Sequence, residues 1–335
     1  MDLNCLAEGI PDEAFKAVTG DNKQLSVQLK KRNKQERNEK DQLSFGDLES
    51  TRSQYGESWR ELGEIAETTP KQVKHKEQQY KDTLENVGWK RDYWACNLWT
   101  AAFFMPLTQD NLQLLPTTAA LNQLLRGNLS TQSIVEAANK LAQEKHFFHW
   151  ALEFPEVFET DGFDCVLGNP PWEMLQLAEQ EFFTSRDTHV AQLAGDVRKQ
   201  AIKKFSQTNP VLAQAFEEAK HDADAQNKFL RESGQCKLTA IGKINTYAVF
   251  AETMRKLISP NGRLGVIVPT GIATDDTCKK FFGDLIQSQA LVSLYDFENR
   301  EALFTAVHRS YKFSLLIISG KAIAQGNFAF FLTRQ

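Results

Sequence analysis

The stretch Phe163-Asp164-Cys165-Val166-Leu167-Gly168-Asn169-Pro170-Pro171-Trp172 decides how the rest of the chain is read. Its opening is a short apolar run that ends at a glycine, the pattern of a buried β-strand stopping at a turn. Three further runs resemble it, over 264–268, 290–295 and 311–318, and the last is the most apolar. Helical periodicity fills the intervals, from about Thr246 to Leu257 and from about Cys278 to Ser288. Short continuous apolar runs that alternate with helices indicate an α/β fold with buried strands in a mostly parallel sheet. Between the first and second strands lies a helical insert, about 173–240, rich in Gln, Ala and Lys.

Upstream the character differs, and the chain divides into a mainly helical, charged insert or linker region (1–148) and a sheet-bearing region (149–335). Two charged runs, Lys30 through Asp41 and Lys71 through Glu77, mix signs and contain neither Gly nor Pro. They predict a pair of solvated helices. In the alternative reading, Lys30, Lys31, Arg32 and Lys34 form a phosphate-contacting strip. Pro70, after Thr68-Thr69, marks the start of the second helix. Trp89, Tyr93, Trp94, Leu98, Trp99, Ala102 and Phe103 recur near helical spacing and read as a buried helix, not a platform for stacking bases. Ser130-Thr131 is expected to cap a helix running to about Gln143.

Composition narrows the class. The 335 residues carry 39 Lys+Arg against 43 Asp+Glu, a net charge of −4, and 41% are hydrophobic. That is enough apolar material for a substantial core in about two domains. No apolar run approaches the roughly 20 residues that span a bilayer, and Met1–Gly9 lacks a secretory pattern. A soluble, cytoplasmic protein without a membrane partner is expected. The mild acidity does not advertise nucleic-acid binding, although a local basic surface can act within an acidic whole. Cys5, Cys96, Cys165, Cys236 and Cys278 are scattered singly, which argues against disulfides and metal sites and fits a reducing cytosol.

The chemistry concentrates in Asn169–Trp172. Ligands of open α/β sheets bind beyond the carboxyl ends of the strands, where this loop sits. Pro170 and Pro171 have no N–H, so the turn presents carbonyl acceptors without competing donors, and Asn169 adds a side-chain carbonyl. Such acceptors suit an NH₂ group. An aromatic amine is a poor nucleophile because its lone pair is delocalised. Two acceptors on its hydrogens favour a pyramidal nitrogen and free that lone pair. Trp172 offers a flat face for the ring that bears the amine.

This segment resembles motif four of the N6-adenine DNA methyltransferases, in which Asn/Asp-Pro-Pro precedes Tyr, Phe or Trp. His149 through Phe158, Asn299 through Phe313 and Gly9 through Phe15 resemble the large methylases of type IIG restriction–modification and phage-defence systems. The resemblance implies a partial Rossmann-like methyltransferase sheet with an antiparallel strand near its end, for which Tyr311–Ile318 is the candidate. It implies methyl transfer from S-adenosylmethionine to the N6 amino group of an adenine flipped out of double-stranded DNA. Asn169 and Pro170 would bind the amino group, with Pro171 in the same catalytic loop. Trp172 would stack on the base and Phe304 would flank it, with Phe297 and Tyr311 as rivals.

The family's Gly-rich cofactor loop, Phe-x-Gly-x-Gly or similar, has no counterpart here, so the cofactor-binding residues are unassigned. The Gly262/Gly265 pair reads as a turn before its strand. The chain accordingly reads as the catalytic portion of a larger enzyme, truncated at both ends, which a complementing polypeptide would supply with the loop and a target-recognition domain. Two other functions stay open: a non-catalytic DNA- or partner-binding module, and a methyltransferase acting on protein glutamine.

Overall fold

The computed structural model describes residues 3–39, 45–305 and 307–333. Lys40 and Asp41 of the first charged run, and Ala306 in the third segment of the resemblance, lie outside the described residues.

The helical region is built around Val87–Phe104, whose residues from Ala95 to Phe103 are all buried. A helix apolar on every side needs neighbours on every side. Polar atoms on it fix where those neighbours sit. Trp99 donates its indole N–H to the Gly9 carbonyl at 3.0 Å, Trp89 donates to the Leu152 carbonyl at 2.8 Å, and Asn97 donates to Asn139 at 2.9 Å.

The charged zone forms three helices, Lys23–Asn38, Phe45–Glu64 and Pro70–Leu84, where two were expected. Pro70 does open the third, with Thr69 and Gln72 closing a capping box. The first is not a simple solvated helix. Leu25, Leu29 and Asn33 are buried at four-residue spacing, and Asn33 bonds Ile10, Asp12 and Thr118 together. In the cationic strip, Lys30 pairs with Glu13 and Arg32 with Glu36, while Lys31 and Lys34 are exposed without an ion pair among the described residues. The Ser130-Thr131 cap takes another form. Thr131 holds the N-cap position of Gln132–Lys145, but its hydroxyl bonds the Asn128 carbonyl and Ser130 bonds Gln123.

Five strands form one sheet: β1 (Phe163–Gly168), β2 (Ile258–Pro269), β3 (Leu291–Glu298), β4 (Lys312–Ser319) and β5 (Asn327–Leu332), in the order β1-β2-β4-β3-β5. β1 and β2 are parallel, as are β3 and β5, and β4 runs antiparallel between β2 and β3. The α/β class and the antiparallel strand match the expectation. β5 was not anticipated, because its Phe-rich run is short and mostly exposed. Gly262 and Gly265 lie inside β2 and not in a turn before it. There Gly262 allows close approach, since a Cβ would stand 2.5 Å from the Phe163 carbonyl oxygen.

The helices Thr246–Leu257 and Lys279–Gln287 cover one face of the sheet and bury Leu264, Val266, Val268, Leu316 and Ile318. The opposite face is open, with Ile267, Leu315 and Ile317 half-buried. β1 was expected to be buried. Instead its outer edge has no strand partner among the described residues, and Leu167 is 77% exposed. An apolar run marks a strand suited to cover on both faces, but local sequence does not say whether this chain provides it.

The insert forms four helices with their own apolar cluster around Phe183, Phe205 and Phe216. Its longest, Pro210–Glu232, packs Phe229 on Phe103 and Phe104 and so ties the insert to the helical core. Among the described residues no helix is long and apolar enough to cross a membrane, and no group of side chains could hold a metal ion.

His149 links burial to pH. It is 2% exposed, and burial holds its imidazole down at about 3 against an ordinary value of 6.5. As pH falls, the unfolded chain therefore takes up this proton first. Stability is full above about pH 6.5 and declines toward about pH 3, by up to about 1.4 kcal/mol per pH unit. Urea midpoints should be lower at about pH 5.5 than at about pH 7.5, and the difference should shrink in His149→Gln. An equal difference in that variant would place its origin elsewhere.

Candidate active site

The parallel strands β1 and β3 end on the same side of the sheet, where antiparallel β4 begins. The loops after β1 and β3 therefore converge there. The first carries Asn169–Trp172 and the second Asn299–Tyr311.

Asn169 is exposed, and its side chain makes no hydrogen bond to any described residue. Pro170 is buried, which sets the turn against the body of the protein. The two proline carbonyls differ. That of Pro171 accepts a hydrogen bond from the Thr246 hydroxyl at 2.7 Å, whereas that of Pro170 has no partner among the described residues. Thr246 also receives the Glu173 N–H at 3.0 Å, and its own N–H donates to the Glu173 carbonyl at 2.9 Å. A short antiparallel bridge between Met174 and Asn245 continues this attachment. The loop is thus held at its back by the start of the helix Thr246–Leu257, leaving the Asn169 amide and the Pro170 carbonyl free to accept.

Trp172 is half-buried against the sheet core. It stacks on Tyr311 with a centroid distance of 5.6 Å and an interplanar angle of 11°, and it meets Phe304 edge-on at 6.1 Å. Phe304 in turn packs on Phe313 at 5.0 Å, and Phe313 stacks on Phe297 at 5.4 Å. The structure thus brings Trp172, Phe304 and Tyr311 together and leaves Phe297 one ring behind. One face of Trp172 is already occupied by Tyr311. Its indole N–H is buried and has no hydrogen-bond partner among the described residues.

Two residues behind this arrangement escaped the sequence reading. Thr246 reads only as the first residue of a helix, and its grip on the loop depends on tertiary contact. Asn299 is fully buried and clasps the second loop: it accepts the Phe304 N–H at 3.0 Å and donates to the Phe304 and Val307 carbonyls at 3.0 and 2.9 Å. This hydrogen-bond pattern positions the Phe304 backbone, and nothing in local sequence announces it.

The loop carries two neutral acceptors without partners among the described residues, followed by an aromatic ring. No ionised nucleophile is needed for acceptors of this kind to hold an amine; positioned dipoles suffice.

Comparison with known proteins adds a family. Residues 20–216, more than half of the chain and including the Asn169–Trp172 loop, match the model of the Eco57I restriction-modification methylase family. No curated protein matches the sequence significantly. A solved structure from Listeria monocytogenes, described as a candidate class I S-adenosylmethionine-dependent methyltransferase, is 11% identical, with 84% of this chain and 93% of that one covered. Its TM-score of 0.26 is too low to support a conclusion.

Proposed function

Because this chain belongs to the Eco57I restriction-modification methylase family, we propose that it carries the acceptor half of an adenine-specific DNA methyltransferase acting in restriction–modification or phage defence. The observation that supports this most directly is the pairing of two unpartnered acceptors, Asn169 and Pro170, with the Trp172 ring at the end of β1. The target would be the N6 amino group of an adenine flipped from double-stranded DNA. We take 1–148 as a helical scaffold, 149–335 as the catalytic region, and a reducing cytoplasm as the compartment, which suits five free thiols.

The methyl donor is S-adenosylmethionine, which supplies an electrophilic methyl group. The residues of this chain fit the amine acceptor. They do not fit the methionine end of the donor, since the paired-glycine loop is not in this sequence. The Asn169 side-chain oxygen and the Pro170 carbonyl would each accept one hydrogen of the amine and so turn its lone pair outward. As positive charge develops on that nitrogen, both carbonyl dipoles would face it and would not need to reorganise. Trp172 and Phe304 would hold the ring, and Thr246 would keep the Pro171 carbonyl from competing for the amine.

Assayed together with the proposed complementing polypeptide, the enzyme should transfer tritiated methyl to duplex DNA that contains adenine and not to adenine-free duplex. Equal labelling of both would overturn the specificity. Trp172→Ala should weaken capture of the flipped base by about 1–3 kcal/mol, read as a loss of affinity for DNA with an abasic partner opposite the target. Unchanged affinity would remove Trp172 from base binding.

A second reading, a non-catalytic DNA- or partner-binding module, is favoured by the open edge of β1 and the exposed Leu167. An unpaired edge is a template for an added strand, so a complementing polypeptide bearing the cofactor loop would satisfy both observations. The isolated chain should bind S-adenosylmethionine weakly or not at all in a calorimetric titration at millimolar cofactor. Low-micromolar binding would mean that the cofactor site lies within this chain.

A further inference from the structure

Between the helical region and the helix Thr246–Leu257 there is a cavity of about 740 Å³, and none of the Asn169–Trp172 residues lines it. Its walls are largely aromatic. Phe104 packs on Phe147 and Phe229 at 5.4 and 5.6 Å, and Phe148 meets Trp150 edge to face at 4.9 Å. Ligand sites commonly have volumes of roughly 300–1,000 Å³, apolar walls and a few placed polar groups.

One such group is present. His149 lines the cavity and is 2% exposed. Its Nε2 lies 2.8 Å from the Asn97 side-chain oxygen, while the Asn97 amide nitrogen donates to Asn139. The histidine must therefore carry its proton on Nε2 and keep a lone pair on Nδ1. Nδ1 has no hydrogen-bond partner among the described residues, and the side chain does not cap the helix Trp150–Glu153 that it precedes.

Among the described residues the remaining polar groups offer no net charge. Burial keeps the His149 ring neutral and pushes the Cys236 thiol up to about 11. The Lys256 ammonium is held by Glu252 at 3.2 Å and by the Gln235 carbonyl. An ionic ligand would be desolvated there without a free counter-charge from these residues. A neutral ring with a single donor would lose little and gain contact with the aromatic and aliphatic walls.

We propose that this cavity is a binding site for a neutral bicyclic heteroaromatic compound with one ring N–H, an indole, whose N–H donates to His149 Nδ1. The site stands apart from the methyl-transfer loop, and the assignment does not depend on the reading of that loop.

Isothermal titration of the whole chain with indole, 1-methylindole and adenine tests it. Indole should bind saturably at one site. 1-Methylindole has the same ring without the donor and should bind about fivefold more weakly. Adenine, with its additional polar edge atoms, should bind about tenfold more weakly. Phe148→Ala should weaken indole binding about fivefold, and the 53% exposure of this side chain lets the fold survive its removal. Absence of saturable indole binding at low millimolar concentration would overturn the proposal. So would 1-methylindole or adenine binding as tightly as indole, or Phe148→Ala binding indole like the wild type.

Discussion

Asn169→Ala is expected to lower methyl transfer in the active enzyme by about 10²–10³-fold, the usual loss when one preorganised transition-state contact is removed. Folding should hardly change, because Asn169 is exposed and bonds to no described residue, and surface substitutions of that kind shift stability by about 0.5 kcal/mol or less. The loop itself should persist, since Thr246 grips it through Pro171 and Glu173. Asn169→Asp keeps an oxygen acceptor and should lose less than Asn169→Ala. The measurement is single-turnover methylation of an adenine-containing duplex with tritiated cofactor, beside a thermal unfolding curve. Wild-type turnover in Asn169→Ala would make the loop a structural turn and end the catalytic assignment. A large loss of stability would instead show that Asn169 does structural work that its free amide does not suggest.

Trp99→Ala is expected to lower the stability of the chain by about 3–5 kcal/mol, the range for truncating a large buried aromatic. Trp99 is 1% exposed, packs on Phe103 at 5.2 Å and donates to the Gly9 carbonyl. Truncation leaves both a cavity and an unpaired buried carbonyl, and the second cost adds to the first. Domains are typically stable by about 5–15 kcal/mol, so this variant sits near the threshold of folding. Trp99→Phe retains most of the ring and should cost less, which keeps the measurement possible if the alanine variant does not fold. Urea unfolding followed by circular dichroism gives both values. A cost under about 1 kcal/mol for Trp99→Ala would mean that the helical region collapses around the missing ring and that Val87–Phe104 is not its organising element.

Much of the architecture was legible because it is written locally. Phe163–Gly168, the apolar part of β2, and the runs at 290–295 and 311–318, which fall in β3 and β4, each carry the signature of a strand over a few consecutive residues. Pro70 and the Thr246–Leu257 periodicity located helices closely for the same reason. The helix Phe45–Glu64 was missed because its residues are mixed in polarity and it lies between two louder charged runs. β5 was missed because an exposed edge strand needs few apolar residues and Asn327–Leu332 has no long run to show. In the candidate site, the Asn169–Trp172 loop stood out through residue chemistry alone. Its surroundings did so only in part: Tyr311 was a rival aromatic for the base, whereas Thr246 and Asn299 are unremarkable residues until packing sets them beside it.

The sequence by itself determined the α/β class, the approximate places of four strands and several helices, and the loop in which an amide, two prolines and an indole follow a strand. These depend on hydrophobic period and turn chemistry, which act between neighbours along the chain. Only the tertiary structure decided that β4 lies between β2 and β3, that β1 is an open edge and the Pro170 carbonyl free among the described residues, that Thr246 engages the Pro171 carbonyl, and that Tyr311 covers a face of Trp172. Each of these joins residues far apart in the chain. Strand register and side-chain packing select such partners from many local equivalents, and that selection is made by the whole fold at once.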